Sequence, residues 1–199
     1  MINESIFLGY VAALCVALLI ALRLGKEYSI ALTSVMAVLV NLFVLKQITL
    51  GGFNATASDA LAVGITLSLN LIQEYHSKQL ALRTIWISFF CALFYVFVSL
   101  LHLAYIPSIH DQHNAAFVEL LTVMPRTVIA SLVTFLVAQH VDTFLYGDLK
   151  ARFHERWFII RNYGTLLLSQ LLDTILFSFL GLYGLTQGLS SLRTLCDVI

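Results

Sequence analysis

Charged side chains are scarce in this chain. Lys, Arg, Asp and Glu make up 11% of its 199 residues, where a soluble domain carries about 25%. The 11 basic and 11 acidic groups cancel to zero net charge, so no nucleic-acid or acidic-surface partner is implied. There are only two prolines. The three cysteines, Cys15, Cys91 and Cys196, are an odd number scattered on or beside apolar segments. They read as small buried hydrophobes rather than a disulfide or metal framework. No G-x-x-x-x-G-K-[ST] loop is present, so the chain does not itself hydrolyse ATP. An H-E-x-x-H pair and a G-x-S-x-G elbow are missing as well. The start, Met1-Ile2-Asn3-Glu4, has no basic leader, and no A-x-A-like site follows the first apolar run. That run is therefore not read as a removable signal.

What fills the chain instead is apolar: 60% of its residues are hydrophobic. Runs at 5–22, 28–45, 84–106, 124–146 and 164–186 each reach 18 residues or more, lengths that suit a hydrocarbon layer about 30 Å thick. The expectation is an all-α membrane fold, a polytopic helical bundle. A shorter run, 60–72, follows the glycine-rich link Gly51-Gly52-Phe53-Asn54. It is expected either to start earlier than its apolar core or to be a broken helix of the kind found near transporter binding sites. The residues 189–199 are expected to begin a further helix, truncated here.

Charge sets the expected orientation. The links after the first, third and fifth passes hold Arg23, Lys26, Lys78, Arg83, Lys150, Arg152, Arg156 and Arg161. The opposite side holds Lys46 and Arg193, with Arg126 at the very start of the fifth pass. By the positive-inside rule the N-terminus lies outside and the 147–163 loop lies in the cytoplasm. The link 106–123, without Lys or Arg, then faces outward.

The polar residues inside these runs are the candidates for function. A carboxylate deep in a bilayer costs about 2.5–3.5 kcal/mol on insertion scales, so it normally faces the bundle interior and has a partner. Two passes carry the same string: Gln139-x-x-Asp142-Thr143-x-Leu145 and Gln170-x-x-Asp173-Thr174-x-Leu176. That spacing places amide and carboxylate on one helix face. Two such faces turned inward would build a polar pocket in an otherwise oily protein. The alternative is a plain interhelical hydrogen bond, worth about 0.6 kcal/mol; it weighs most for Asp142, near the end of its pass.

Arg161, Thr165 and Ser169 recur at every fourth position and lead towards Asp173. Arg161 is open to two readings, a pocket cation or a side chain snorkelling to headgroups. Asn162 is open to two as well, pocket lining or helix cap. Arg126, after Pro125, is either an interface anchor or a binding cation, with Ser131 between it and the Gln139/Asp142 face. Asn70 and Glu74 share a face one turn apart beside Gln73 and Tyr75; they form a pocket floor or simply a solvated helix end. His110-Asp111-Gln112-His113 lacks further ligands at metal spacing, so no metal is expected. Trp86 and Trp157 sit where interface anchors belong.

At its last two passes the chain resembles the bacterial queuosine-precursor transporter family. The residues that carry the likeness are Pro125-Arg126, Ser131, Gln139-x-x-Asp142, Lys150, Arg152, Trp157 and Arg161-Asn162. It continues through Thr165, Ser169-Gln170-x-x-Asp173-Thr174, Phe177 and Gly181. The stretch Asn70-Leu71-Ile72-Gln73-Glu74-Tyr75 is similar to the family's D-x-x-x-E motif, with Asn70 where the family usually has Asp. The resemblance implies a single integral-membrane domain over 1–199. Within it, 28–199 is a bundle of about six helices like the substrate-binding subunits of energy-coupling-factor transporters, and 1–27 is an extra N-terminal pass.

The resemblance also implies the cargo, a 7-deazaguanine-type base such as a queuosine precursor or queuine, and the location, the bacterial inner membrane. A guanine-like edge offers N–H groups that a carboxylate accepts in pairs and a carbonyl that suits Arg, Asn or Gln. The expected substrate-binding set is Asp173, Gln170, Asp142, Gln139, Arg161, Asn162, Arg126, Asn70 and Glu74. The partners are the small molecule and the lipid bilayer, and no cofactor is expected. One alternative is a vitamin-binding subunit energised by a separate ATPase; a remote one is an intramembrane enzyme using its two aspartates as an acid pair.

Overall fold

In the computed structural model the described residues are 2–44, 46–108, 111–121, 125–152, 158–177 and 179–180. His110, Trp157, Gly181, Arg193 and the stretch 189–199 lie outside them. Among the described residues the protein is all-α apart from one small hairpin, and α1 (Ile2–Leu24), α2 (Lys26–Phe43) and α4 (Lys78–Leu103) are long and apolar enough to cross a membrane. The chain divides into two compact units, 1–122 and 123–199.

In the first unit, α3 (Asp59–Tyr75) is the central helix, buried along most of its length and packed against α1, α2 and α4. Small residues make this close packing feasible, as in membrane bundles generally. A side chain built at Gly64 would already be 3.4 Å from the Met36 sulfur of α2. Two hydroxyl pairs tie the helices together. Thr33 Oγ1 donates to the Ser29 carbonyl at 2.7 Å, so the 2.6 Å bond to Ser68 of α3 must use the Ser68 proton. Ser34 donates to the Ile30 carbonyl, and Ser88 of α4 completes the second pair at 3.2 Å.

The link before α3 is a β-hairpin, not a break in a helix. Strands β1 (Gln47–Leu50) and β2 (Phe53–Thr56) pair antiparallel across Gly51-Gly52. Both glycines have positive φ, +58° and +90°, the conformation that a two-residue hairpin turn of primed type demands. Glu4 of α1 accepts the Gly51 N–H at 3.0 Å, and Asn3 donates to the Thr49 carbonyl. After the turn, the Asp59 carboxylate accepts the Thr56 N–H at 3.0 Å and its hydroxyl, opening α3. The third pass thus does start before its apolar core, at Asp59, and runs unbroken for 17 residues. The link expected to face outward contains a short helix, α5 (Asn114–Leu121), preceded by an Asp111 carboxylate that accepts the His113 N–H.

The second unit is built on α6 (Pro125–Arg152) and α7 (Phe158–Phe177), which pack against each other. Pro125 opens α6 at the helix start, where its missing N–H costs nothing. The 147–163 stretch read as a loop is mostly helical. The fifth pass continues through Lys150 and Arg152, whose charges suit a helix C-terminus, and α7 is already formed at Phe158. At 20 residues α7 is about 30 Å long.

Candidate functional site

A helix turns about 100° per residue, so residues three and four apart stack on one face. On α6 the buried arc contains Ala138, Gln139, Asp142, Thr143 and Tyr146, with Asp142 at its centre and fully enclosed. On α7 the buried arc contains Arg161, Asn162, Thr165 and Ser169. Each four-residue step advances about 40° round the helix. By Asp173 the stripe has reached the edge of the buried arc, and Gln170, Asp173 and Thr174 are all half-buried. The duplicated string therefore lies in two different environments. The α6 copy is sunk, and the α7 copy is marginal.

Arg161 is 1% exposed, and its guanidinium carbon stands 5.4 Å from the centroid of the Tyr146 ring. That is within the range of a cation–π contact. The snorkelling reading of Arg161 does not describe this side chain, because a headgroup anchor keeps its charge in water. The reading of Asn162 as a cap also fails. α7 begins at Phe158, so Asn162 is in the helix proper, with its side chain buried. Tyr146 lies one turn beyond Asp142 on the same face, and Arg161 covers it from the facing helix. The unit thus collects a carboxylate, an amide, a guanidinium and an aromatic ring in its interior.

Not every polar group there is free to serve a ligand. Thr165 donates to the Asn162 carbonyl, Ser169 to the Leu166 carbonyl, and Thr174 to the Gln170 carbonyl at 2.9 Å. The polar stripe of α7 is thus partly occupied with its own backbone, a common use of hydroxyls in helices. The hydroxyls of Thr134 and Thr143 on α6 are buried without a hydrogen-bond partner among the described residues.

The remaining candidates lie elsewhere. Arg126 is in the first turn of α6, and its side chain is outside the described set. Asn70 and Glu74 belong to the first unit, on α3. Asn70 is fully buried, which rules out a solvated helix end for it, while Glu74 is half-buried and Tyr75 exposed. Gln73 beside them is buried, and its carbonyl oxygen has no partner among the described residues. The first unit also has a cavity of about 380 Å³ between α1, the end of α2 and the hairpin. Phe7, Tyr10 and Phe43 line it, and among the described lining residues Lys46 is the one charged side chain and none is a carboxylate. Tyr146 is the site residue that inspection of the sequence missed. Its signal was its position, four residues after Asp142.

A family model described as "Putative vitamin uptake transporter" matches residues 56–198. The chain belongs to the putative vitamin uptake transporter family. The match begins as β2 leads into α3 and takes in both candidate units of polar residues, while α1 and α2 precede it. A similar protein of Bacillus subtilis (strain 168), named "Probable queuosine precursor transporter", is 27% identical over 188 residues. Those residues are 92% of this chain and 82% of the relative. No solved structure matches the chain. Membership in this vitamin uptake transporter family, with three helices apolar enough to span a bilayer, makes this a membrane transport protein.

Proposed function

We propose that this vitamin uptake transporter family member carries a queuosine precursor, or a related 7-deazaguanine-type base, across the bacterial inner membrane. The observation that carries the reading is the fully buried Asp142 on the same arc of α6 as Gln139 and Tyr146, with Arg161 of α7 over the Tyr146 ring. The name of the Bacillus relative supports the cargo class.

In this reading Asp142 accepts paired N–H groups from the base edge, and Gln139 adds a neutral donor and acceptor beside it. Arg161 and Asn162 donate to the carbonyl of the base. Gln170 and Asp173, at the margin of the buried arc, meet the cargo as it enters or leaves, and a second carboxylate there suits an aminomethyl-bearing precursor. Arg126 contributes at the start of α6. Asn70 and Glu74 are candidates on their own helix in the first unit. The N-terminus lies outside, following the bias of Lys and Arg.

The test is uptake of labelled precursor by cells that cannot make it. Cells carrying the parent protein should accumulate label, and cells carrying a well-inserted Asp142→Asn protein should not. Normal accumulation by Asp142→Asn would end the site assignment. A purified protein stabilised against heat by a vitamin but by no 7-deazaguanine would replace the cargo.

A further inference from the structure

We propose that Thr143 is a specificity-determining residue of this carrier, its hydroxyl hydrogen-bonding the cargo beside the Asp142 carboxylate. The assignment rests on the reading that the buried arc of α6 lines the cargo site. In the second copy of the string, the matching Thr174 has a structural role only.

A threonine in a helix has a preferred partner. Its hydroxyl normally returns to the carbonyl three or four residues back, which satisfies it in a medium without water. Thr33, Thr66, Thr84, Thr165 and Thr174 all do so here. Among the helical threonines whose side chains are described, only Thr134 and Thr143 do not, and both are on α6 and buried. A buried hydroxyl without a partner is an exception that calls for a reason. The comparison within the chain sharpens the point. Thr143 and Thr174 stand at the same place in the same string, yet Thr174 is half-buried and bonded to the Gln170 carbonyl while Thr143 is 0% exposed and has no hydrogen-bond partner among the described residues. The amide, the acid, the hydroxyl and the closing leucine are the same in both strings, so the difference tracks the surroundings of each copy.

Position separates Thr143 from Thr134. Thr143 follows Asp142 directly and stacks one turn from Gln139. Thr134 is eight residues before Asp142, about 12 Å along the axis. Asp142 can only accept hydrogen bonds, whereas a hydroxyl can also donate one. The pair therefore fits a flat heterocycle that presents N–H groups next to a ring nitrogen or carbonyl. A site built to hydrogen-bond one such atom discriminates strongly against an analogue that lacks it.

The experiment measures concentration-dependent uptake of a labelled 7-deazaguanine by cells bearing the full chain, its Thr143→Val, Thr143→Ser and Thr174→Val forms. Valine keeps the shape and removes the hydroxyl, and serine keeps the hydroxyl. The expected result is a KM raised about tenfold by Thr143→Val, the scale of one lost hydrogen bond, at an unchanged maximal rate per inserted molecule. Thr143→Ser should restore the parental KM, and Thr174→Val should not move it. A parental KM in Thr143→Val, or a loss in maximal rate alone that serine does not repair, overturns the assignment while leaving the proposed function standing. A parent that takes up no 7-deazaguanine overturns both.

Discussion

The guanidinium of Arg161 lies 5.4 Å from the centroid of the Tyr146 ring, with both side chains withdrawn from the surface. A planar cation on an aromatic face is a geometry that lysine does not reproduce. Arg161→Lys should insert and fold but lose at least about tenfold in uptake, as expected where a stacked guanidinium matters. Tyr146→Leu should lower the thermal stability of the detergent-solubilised protein by about 0.5–2 kcal/mol. Uptake and a melting curve check both. If Arg161→Lys matched the parent in each, the stacked arrangement would have no functional meaning.

The two aspartates should not behave alike. Asp142 is wholly enclosed and Asp173 is half-buried at the edge of its helix face. Replacing each with asparagine preserves shape and removes charge. Asp142→Asn should abolish precursor binding, measured as ligand-induced thermal stabilisation, and Asp173→Asn should weaken it by a smaller factor. The reverse order would mean that the half-buried α7 copy is the one that holds the cargo.

In the first unit, the hydroxyl pair Thr33–Ser68 joins α2 to α3 at 2.6 Å. Interhelical hydrogen bonds in membranes average about 0.6 kcal/mol. A double-mutant cycle with Thr33→Val and Ser68→Ala should return a coupling of about that size in reversible unfolding. A coupling indistinguishable from zero would show that the contact is incidental to stability.

Gly64 faces the Met36 sulfur, with room for a methyl group at ordinary van der Waals distance and for little more. Gly64→Ala should therefore be tolerated, since the neighbour is the flexible end of a methionine. Gly64→Ile should overpack the α2–α3 contact and cost about 1–3 kcal/mol. Expression level and melting temperature separate the two, and equal behaviour would mean that α2 and α3 are not closely packed there.

Much of the fold was legible from hydropathy alone, because a segment must be apolar over about 20 residues to cross a bilayer. The passes were placed to within a few residues at most ends. Lys150 and Arg152 read as loop residues because charge is usually solvated, yet a helix end accommodates cations well, and α6 runs on through them. The glycine link leaves two readings open on sequence alone, an early start of the next helix or a broken one. Whether Gly51-Gly52 interrupts a helix or closes a hairpin depends on the pairing of Gln47 with Thr56, a contact across nine residues that no local pattern announces.

The sequence by itself determined that this is an all-α membrane protein, that its long apolar runs are helical, and that two of them carry the same amide–acid–hydroxyl string. Tertiary structure alone decided which copy is enclosed. Burial is a property of how a helix is rotated against its neighbours, and two strings with the same polar residues can be rotated differently. That rotation is what enclosed Asp142 and Thr143, left Asp173 and Thr174 at the margin, and laid Arg161 over Tyr146.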